Sequence, residues 1–72
     1  MTQPWYKPIS HEAEVLAAPA ASNGYRWTIG TPKGPEYLCG PSAPPAGTPV
    51  GTRGRITYRI TPSMGYWSWS AL

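Results

Sequence analysis

The chain has 72 residues, a formal net charge of +3 and 12% charged residues, and it combines ten prolines and eight glycines with four tryptophans and five tyrosines. This length allows one small domain, which excludes a multidomain enzyme and a long coiled coil. The low charge content and the many aromatic rings argue against a disordered acidic tail. Residues 1–72 are therefore expected to form a single small domain.

The first ten residues are predicted to form an extended arm. Pro4 and Pro8 restrict their own φ angles and bias the residues before them away from helix. Trp5 and Tyr6 place two large rings on this arm. Because exposed rings are costly on a free arm, we expect both side chains to dock on a partner.

Residues 11–18 fit two local structures. Ser10 is a good N-cap for a short helix over the alanine-rich sequence HEAEVLAA, and Pro19 would end that helix. The alternative is a strand, because Ala13, Val15 and Ala17 alternate with Glu12, Glu14 and Leu16. The sequence alone leaves both structures open.

A turn and a strand are predicted next. Residues 19–24 have the sequence PAASNG, in which Asn23-Gly24 is a typical turn dipeptide. Residues 25–29, YRWTI, then alternate as a half-buried strand does. This pattern places Tyr25, Trp27 and Ile29 on one face of the predicted strand.

Residues 30–52 are predicted to be an irregular arm or loop, because six prolines and five glycines occupy 11 of the 23 positions. Tyr37 and Leu38 are its best candidates for contacts with a partner. The spacing from Pro41 to Pro44 would also allow a polyproline II segment that docks on a partner, but a stiff spacer or an arm lying on the surface is the favoured interpretation.

The C-terminal part is predicted to be a β-hairpin. Residues 53–61, RGRITYRIT, place Ile56, Tyr58 and Ile60 on one face, and residues 62–65 form the turn. Residues 66–71, YWSWSA, form the second strand of the hairpin. The predicted fold class is therefore mainly β. It consists of a small antiparallel sheet of three to four strands, a Pro/Gly-rich arm and, if residues 11–18 are helical, one short helix.

The sequence offers little covalent or metal stabilisation. Cys39 is the only cysteine and His11 the only histidine, so one chain can form neither a disulfide nor a zinc site with four Cys or His ligands. No cofactor is expected. Chains of this size usually need a disulfide, a metal or a partner, which leaves a partner as the predicted source of extra stability.

Two sets of residues are candidates for binding. Partner contacts are predicted at the aromatic and apolar residues Trp5, Tyr6, Tyr37, Leu38, Trp67 and Trp69, since Trp is enriched in interface centres. For the two C-terminal tryptophans, a place in the core of the sheet is the favoured interpretation, because the chain has no Phe. The candidate nucleic-acid contacts are the arginines Arg26, Arg53, Arg55 and Arg59. Strand alternation, however, places these arginines and the aromatic rings on opposite faces of each strand, which favours a solvated arginine face.

No catalytic motif is evident. Ser10 or Cys39 with His11 as base lacks an Asp to orient the imidazole, and no glycine-rich phosphate loop is present. The leading hypothesis is a non-enzymatic structural subunit of a larger assembly, in its concrete form a small bacteriophage virion protein (capsid decoration, cement or minor structural). Its partners would be copies of a larger assembly subunit and the chain itself. The alternatives are a small β-barrel that binds nucleic acid and an inhibitor or regulator of one host protein.

The expected location is the virion, or otherwise the cytoplasm. The segment MTQPWYKP lacks the apolar region of a secretory signal. The longest apolar run, residues 15–21, is too short to cross a bilayer. A lone cysteine fits a reducing compartment.

Overall fold

The computed structural model describes residues 9–72; the predicted arm with Trp5 and Tyr6 falls mostly outside the described residues. Five antiparallel strands form one curled sheet with the order β3-β2-β1-β4-β5. The strands are β1 (Ile9–Ala17), β2 (Trp27–Thr31), β3 (Gly34–Leu38), β4 (Arg53–Ile60) and β5 (Gly65–Ala71). The predicted mainly β fold is confirmed, and so is the C-terminal hairpin, which is formed by β4 and β5.

Residues 11–18 adopt the strand alternative and not the helical one. Ala13 and Val15 are buried, whereas Glu12, Glu14 and Leu16 are exposed, as the alternation requires. A helix of two turns is marginal in water. The strand places Val15 between two neighbouring strands in the centre of the sheet, and this packing stabilises the extended form.

Strand β2 confirms part of the predicted pattern. Trp27 and Ile29 are 7% and 0% exposed, so both belong to the core. The prediction that Tyr25 lies on the same face is wrong, because this residue precedes the strand, is 69% exposed and has a φ of 58°. It completes a left-handed turn with Gly24, which takes its side chain away from the sheet.

The sequence pattern did not reveal β3, the strand at one edge of the sheet. A tight turn at Pro32-Lys33 joins it to β2. In this turn, the Thr31 hydroxyl accepts a hydrogen bond from Lys33 N (3.1 Å) and donates one to Gly34 O (2.6 Å). Pro35 lies within the strand, which an edge position tolerates because the missing N–H is not needed on the open side.

The rest of the proline-rich segment packs onto the sheet as an irregular loop between β3 and β4. It begins with a 3-10 helix, Gly40–Ser42, that contacts β5. Pro44 is buried, and Ala43 packs against the core. The loop ends in two consecutive turns with the sequences PAGT and PVGT, whose glycines have φ angles of 90° and 95°. Thr48 and Thr52 each close their turn by a hydroxyl bond to the carbonyl of its proline.

The core lies on the inner face of the curled sheet. Its buried side chains come from four strands: Ala13, Val15, Trp27, Ile29, Leu38 and Ile56. Ile29, Ile56 and Val15 are fully buried. Trp67 and Trp69 of β5 pack against this cluster but stay partly exposed. This inner surface of the sheet is called the core face below, and the opposite surface the outer face.

Asn23 holds the loop between β1 and β2 together. Its Oδ1 accepts hydrogen bonds from Ala20 N (2.9 Å) and Arg26 N (3.3 Å), and its Nδ2 donates one to Ala18 O (2.9 Å). We predict that Asn23→Ala lowers the free energy of unfolding by about 1–2 kcal/mol, because three bonds to backbone groups are lost. Chemical denaturation measures this change. Asn23→Asp keeps the acceptor oxygen and should cost less; an equal cost for both variants would contradict this explanation.

Candidate interaction surface

The core face continues beyond the core at the end of the sheet where β1 begins. Strand β4 pairs with β1 from Ile9 to Glu14, whereas β2 pairs with β1 only from Glu14 onward. Strand β2 therefore flanks only the C-terminal end of β1, and the short strand β3 lies beyond β2. Among the described residues, no strand flanks the β2 side of β1 between Ile9 and Ala13.

Five side chains from three strands meet on this part of the core face. Strand register places Ile9, Tyr58 and Trp67 side by side, with His11 one step further along β1 and Ile60 one step further along β4. We call this set the aromatic patch; its members are Ile9, His11, Tyr58, Ile60 and Trp67.

The rings of the aromatic patch are in mutual contact. The Tyr58 and Trp67 ring centroids are 5.1 Å apart with an interplanar angle of 61°, which is an edge-to-face arrangement. The His11 and Trp67 rings are 5.8 Å apart and tilted by 38°. Trp67 is therefore the centre of a ring cluster that is already assembled in the isolated chain.

The aromatic patch is apolar and accessible. Ile9 and Ile60, at its rim, are 53% and 42% exposed, and the three rings are partly buried. An ordered, partly exposed group of rings with a polar tip on Tyr58 and His11 has the composition of a protein–protein contact centre. None of its members is an Asp, Glu, Lys or Arg, so burial against a partner would leave no such charge unpaired.

The outer face carries most of the charged side chains. Arg53 is the direct cross-strand partner of Glu14, and Arg55 is the partner of Glu12. Opposite charges in such positions attract each other and cancel at longer range. The Arg55 guanidinium also donates a hydrogen bond to Ser10 Oγ (3.2 Å). Two of the four arginines predicted to contact nucleic acid thus face acidic neighbours.

The other two arginines lie beside tyrosines at different places. The Arg26 guanidinium stacks over the Tyr37 ring at 4.9 Å, next to the edge strand β3. Arg59 is the cross-strand partner of Tyr66 and donates a hydrogen bond to Ser68 Oγ (3.2 Å). Alternation separates arginines from rings within a strand, but each of these two pairs joins an arginine and a tyrosine from different segments of the chain. They lie on strands separated by β1, so they do not form one continuous basic surface.

The residues predicted to contact a partner do not form one surface. Tyr37 is 51% exposed on the outer face, whereas Leu38 is 5% exposed and belongs to the core. Trp67 and Trp69 are both on the core face, as their spacing predicts. The contacts predicted for Trp5 and Tyr6 lie outside the described residues.

Sequence reasoning did not include most of the aromatic patch among the candidate site residues. Tyr58 and Ile60 were placed on the correct face but not beside Trp67, and Ile9 and His11 were not placed on any face. The alternation from Ile9 to Val15 is the signal that identifies them. It becomes usable only once β1 is known to be a strand.

Ser10 and His11 point to opposite sides of β1. Ser10 lies on the outer face, where its Oγ is 3.4 Å from Thr57 Oγ1, while His11 lies on the core face. Successive residues of a strand point to opposite faces, so these two side chains are not a nucleophile–base pair. Cys39 is exposed. The described residues contain no group of three or more His, Cys, Asp or Glu side chains that could hold a metal ion.

Comparisons with known proteins do not assign the chain to a family. No family model matches the sequence, and neither the curated proteins nor the solved structures give a match. In the part of the chain that the structure describes, no helix has the length and apolar character needed to cross a membrane. Arguments about function therefore depend on the surfaces described above.

Proposed function

We propose that the protein is a non-enzymatic structural subunit that binds a protein of a larger assembly through the aromatic patch. The concrete form of this proposal is a small bacteriophage virion protein that decorates, cements or completes a capsid. The observation that carries it is the ring cluster around Trp67, which lies on a part of the core face that β2 and β3 do not flank.

The energetics of a small chain support this proposal. Only six side chains are buried in the core among the described residues. Domains of this size are marginally stable, and the chain has no disulfide to add stability. A partner that covers Ile9, Ile60 and the three rings would bury further apolar surface, and binding to the folded form alone would shift the equilibrium toward it.

Sedimentation tests this proposal. Labelled protein is added to an extract of the cells or virus particles from which it comes, and the fraction that sediments with large assemblies is measured. Ile60→Lys and Ile9→Lys each place a charge at the rim of the aromatic patch with little effect on the fold. We expect each to weaken association roughly tenfold or more, because an unpaired charge is costly in an apolar interface.

Two controls make the result specific. Val50→Lys adds the same charge at a site that is 61% exposed and away from the patch, and it should sediment like the unmodified protein. Nuclease treatment and moderate salt should not release the protein. If Ile9→Lys and Ile60→Lys still sediment normally, the proposal is wrong. Recovery with one small protein would favour the regulator or inhibitor alternative.

The nucleic-acid alternative has one favourable observation, namely the two arginine–tyrosine pairs on the outer face. Rings and cations on one surface are what stacking sites use. The acidic partners of Arg53 and Arg55 weaken it. This alternative predicts release by nuclease and a steep loss of binding with salt. It also predicts that Arg59→Ala, and not Ile60→Lys, abolishes association.

A further inference from the structure

The two edges of the sheet differ in how they are protected against pairing. At the β3 edge, Pro35 lacks a backbone donor and Glu36 carries a charge. The β5 edge, Gly65–Ala71, contains neither a proline nor a charged residue, and it pairs with β4 in unbroken register. Natural proteins usually blunt edge strands with charges, prolines or bulges. Strand β5 has none of these three features, although the 3-10 helix Gly40–Ser42 contacts it.

The residues of β5 also favour strand formation. Tyr66, Trp67 and Trp69 are residue types enriched in strands. Trp67 and Trp69 project onto the core face and are partly exposed, and among the described residues no strand lies on their outward side. A strand added there would cover the open side of both indoles and satisfy the backbone groups of the edge.

We propose that β5 pairs antiparallel with β5 of a second copy of this chain, around a two-fold axis at Ser68. This register pairs the whole strand, since Gly65 then lies opposite Ala71 of the second copy and Trp67 lies opposite its Trp69. The four tryptophans would form two adjacent cross-strand pairs on the core face. The pairing uses the backbone edge of β5 and shares only Trp67 with the aromatic patch, so it can be tested separately from the proposed binding through Ile9 and Ile60.

A second copy fits this edge for reasons of symmetry and charge. Antiparallel pairing of identical strands is self-complementary and closes with two copies. Both outer edges of the resulting ten-stranded sheet would be β3, where Pro35 and Glu36 oppose further pairing. The nearest cations across the new pairing, Arg59 of one copy and Arg55 of the other, would lie in one cross-strand row on strands about 14 Å apart, which exceeds the screening length at physiological salt.

Sedimentation of the purified chain tests the pairing. We expect a concentration-dependent dimer with twice the 7.8 kDa mass of the chain. Ser68→Lys places two like charges opposite each other at the axis, which should weaken the dimer about fivefold. Thr28→Lys adds the same charge to the outer face of the interior strand β2, and it should leave the dimer unchanged.

A disulfide experiment tests the register of the β5–β5 pairing. Its result does not depend on whether the Ser68→Lys variant folds. Exposed Cys39 is first replaced by serine. Ser68→Cys would then place two thiols directly opposite each other, within about 4.5–5.5 Å between Cβ atoms. We expect a covalent dimer under mild oxidation. The matched variant Ser70→Cys would hold its two thiols about 13 Å apart and should not cross-link.

Three results would overturn the pairing. These are a monomer at every concentration up to the millimolar range, a dimer that Ser68→Lys does not weaken although it is folded, and cross-linking through Ser70→Cys in preference to Ser68→Cys. A strictly monomeric chain would leave the edge to another occupant, either residues 1–8 of the same chain or a different protein. None of these results bears on sedimentation with a larger assembly, which depends on Ile9 and Ile60.

Discussion

Replacing Ile56 by alanine is expected to lower the free energy of unfolding by about 3–4 kcal/mol. This side chain is fully buried and is flanked by His11 on β1 and Trp69 on β5. Truncation removes three carbons from the centre of the core and leaves a cavity, and such changes cost roughly 2–5 kcal/mol. A chain of this length has a total stability of roughly 4–11 kcal/mol, so much of it would be lost.

Chemical denaturation at one fixed protein concentration measures this effect, because self-association would make stability depend on concentration. Ile60→Ala is the matched control. Ile60 lies on the same strand and the same face, but it is 42% exposed. Its truncation should lower the free energy of unfolding by less than about 1 kcal/mol, because it removes little buried apolar surface and leaves no cavity. Similar losses for both variants would show that the core is not centred on Ile56.

The second large effect is expected at Gly54, which is buried in β4. A Cβ atom built there would lie 2.5 Å from Cη2 of Trp69 and 2.6 Å from the backbone oxygen of Ser70. The indole of Trp69 thus lies over the glycine, and the pairing of β5 with β4 limits how far this side chain can move away. We predict that Gly54→Ala destabilises the fold by about 1–3 kcal/mol through overpacking.

Gly30→Ala is the control for this prediction. A Cβ atom at Gly30 would lie 2.9 Å from Cδ1 of Leu16. Leu16 is 50% exposed on the outer face and can move toward solvent, so this substitution should have a much smaller cost. Thermal unfolding followed by near-ultraviolet circular dichroism reports both stability and the environment of Trp69. If Gly30→Ala is the more damaging of the two, the close packing of Trp69 on β4 is not what makes Gly54 necessary.

The regular parts of the fold follow from alternation in the sequence. The C-terminal hairpin is predictable because its branched and aromatic residues alternate over two adjacent segments, and Trp27 and Ile29 mark β2 in the same way. The strand β3 is not predictable by this route. Its sequence GPEYL begins with two loop-forming residues, and its position at an edge, which makes Pro35 acceptable, is a property of the whole sheet.

The aromatic patch shows a similar limit. Trp67 and Trp69 are recognisable from their spacing, but their neighbours depend on register between strands far apart in sequence. Ile9 lies beside Tyr58, and His11 lies beside Ile56, and no local pattern specifies these pairs. Sequence reasoning therefore identified one ring of the patch as a candidate contact and did not identify the cluster.

The central position of β1 in the sheet has a consequence for biosynthesis. Its pairing residues on β4 lie near the other end of the chain, as in Glu14 with Arg53 and Ile9 with Tyr58. The hairpins β2–β3 and β4–β5 are local and can form quickly, whereas contacts between distant segments are slow to form. Strand β1 emerges from the ribosome first, and its β4 partner is not available until almost the whole protein has been made. Its two exposed glutamates, Glu12 and Glu14, would help to keep the unpaired strand β1 from pairing with other nascent chains.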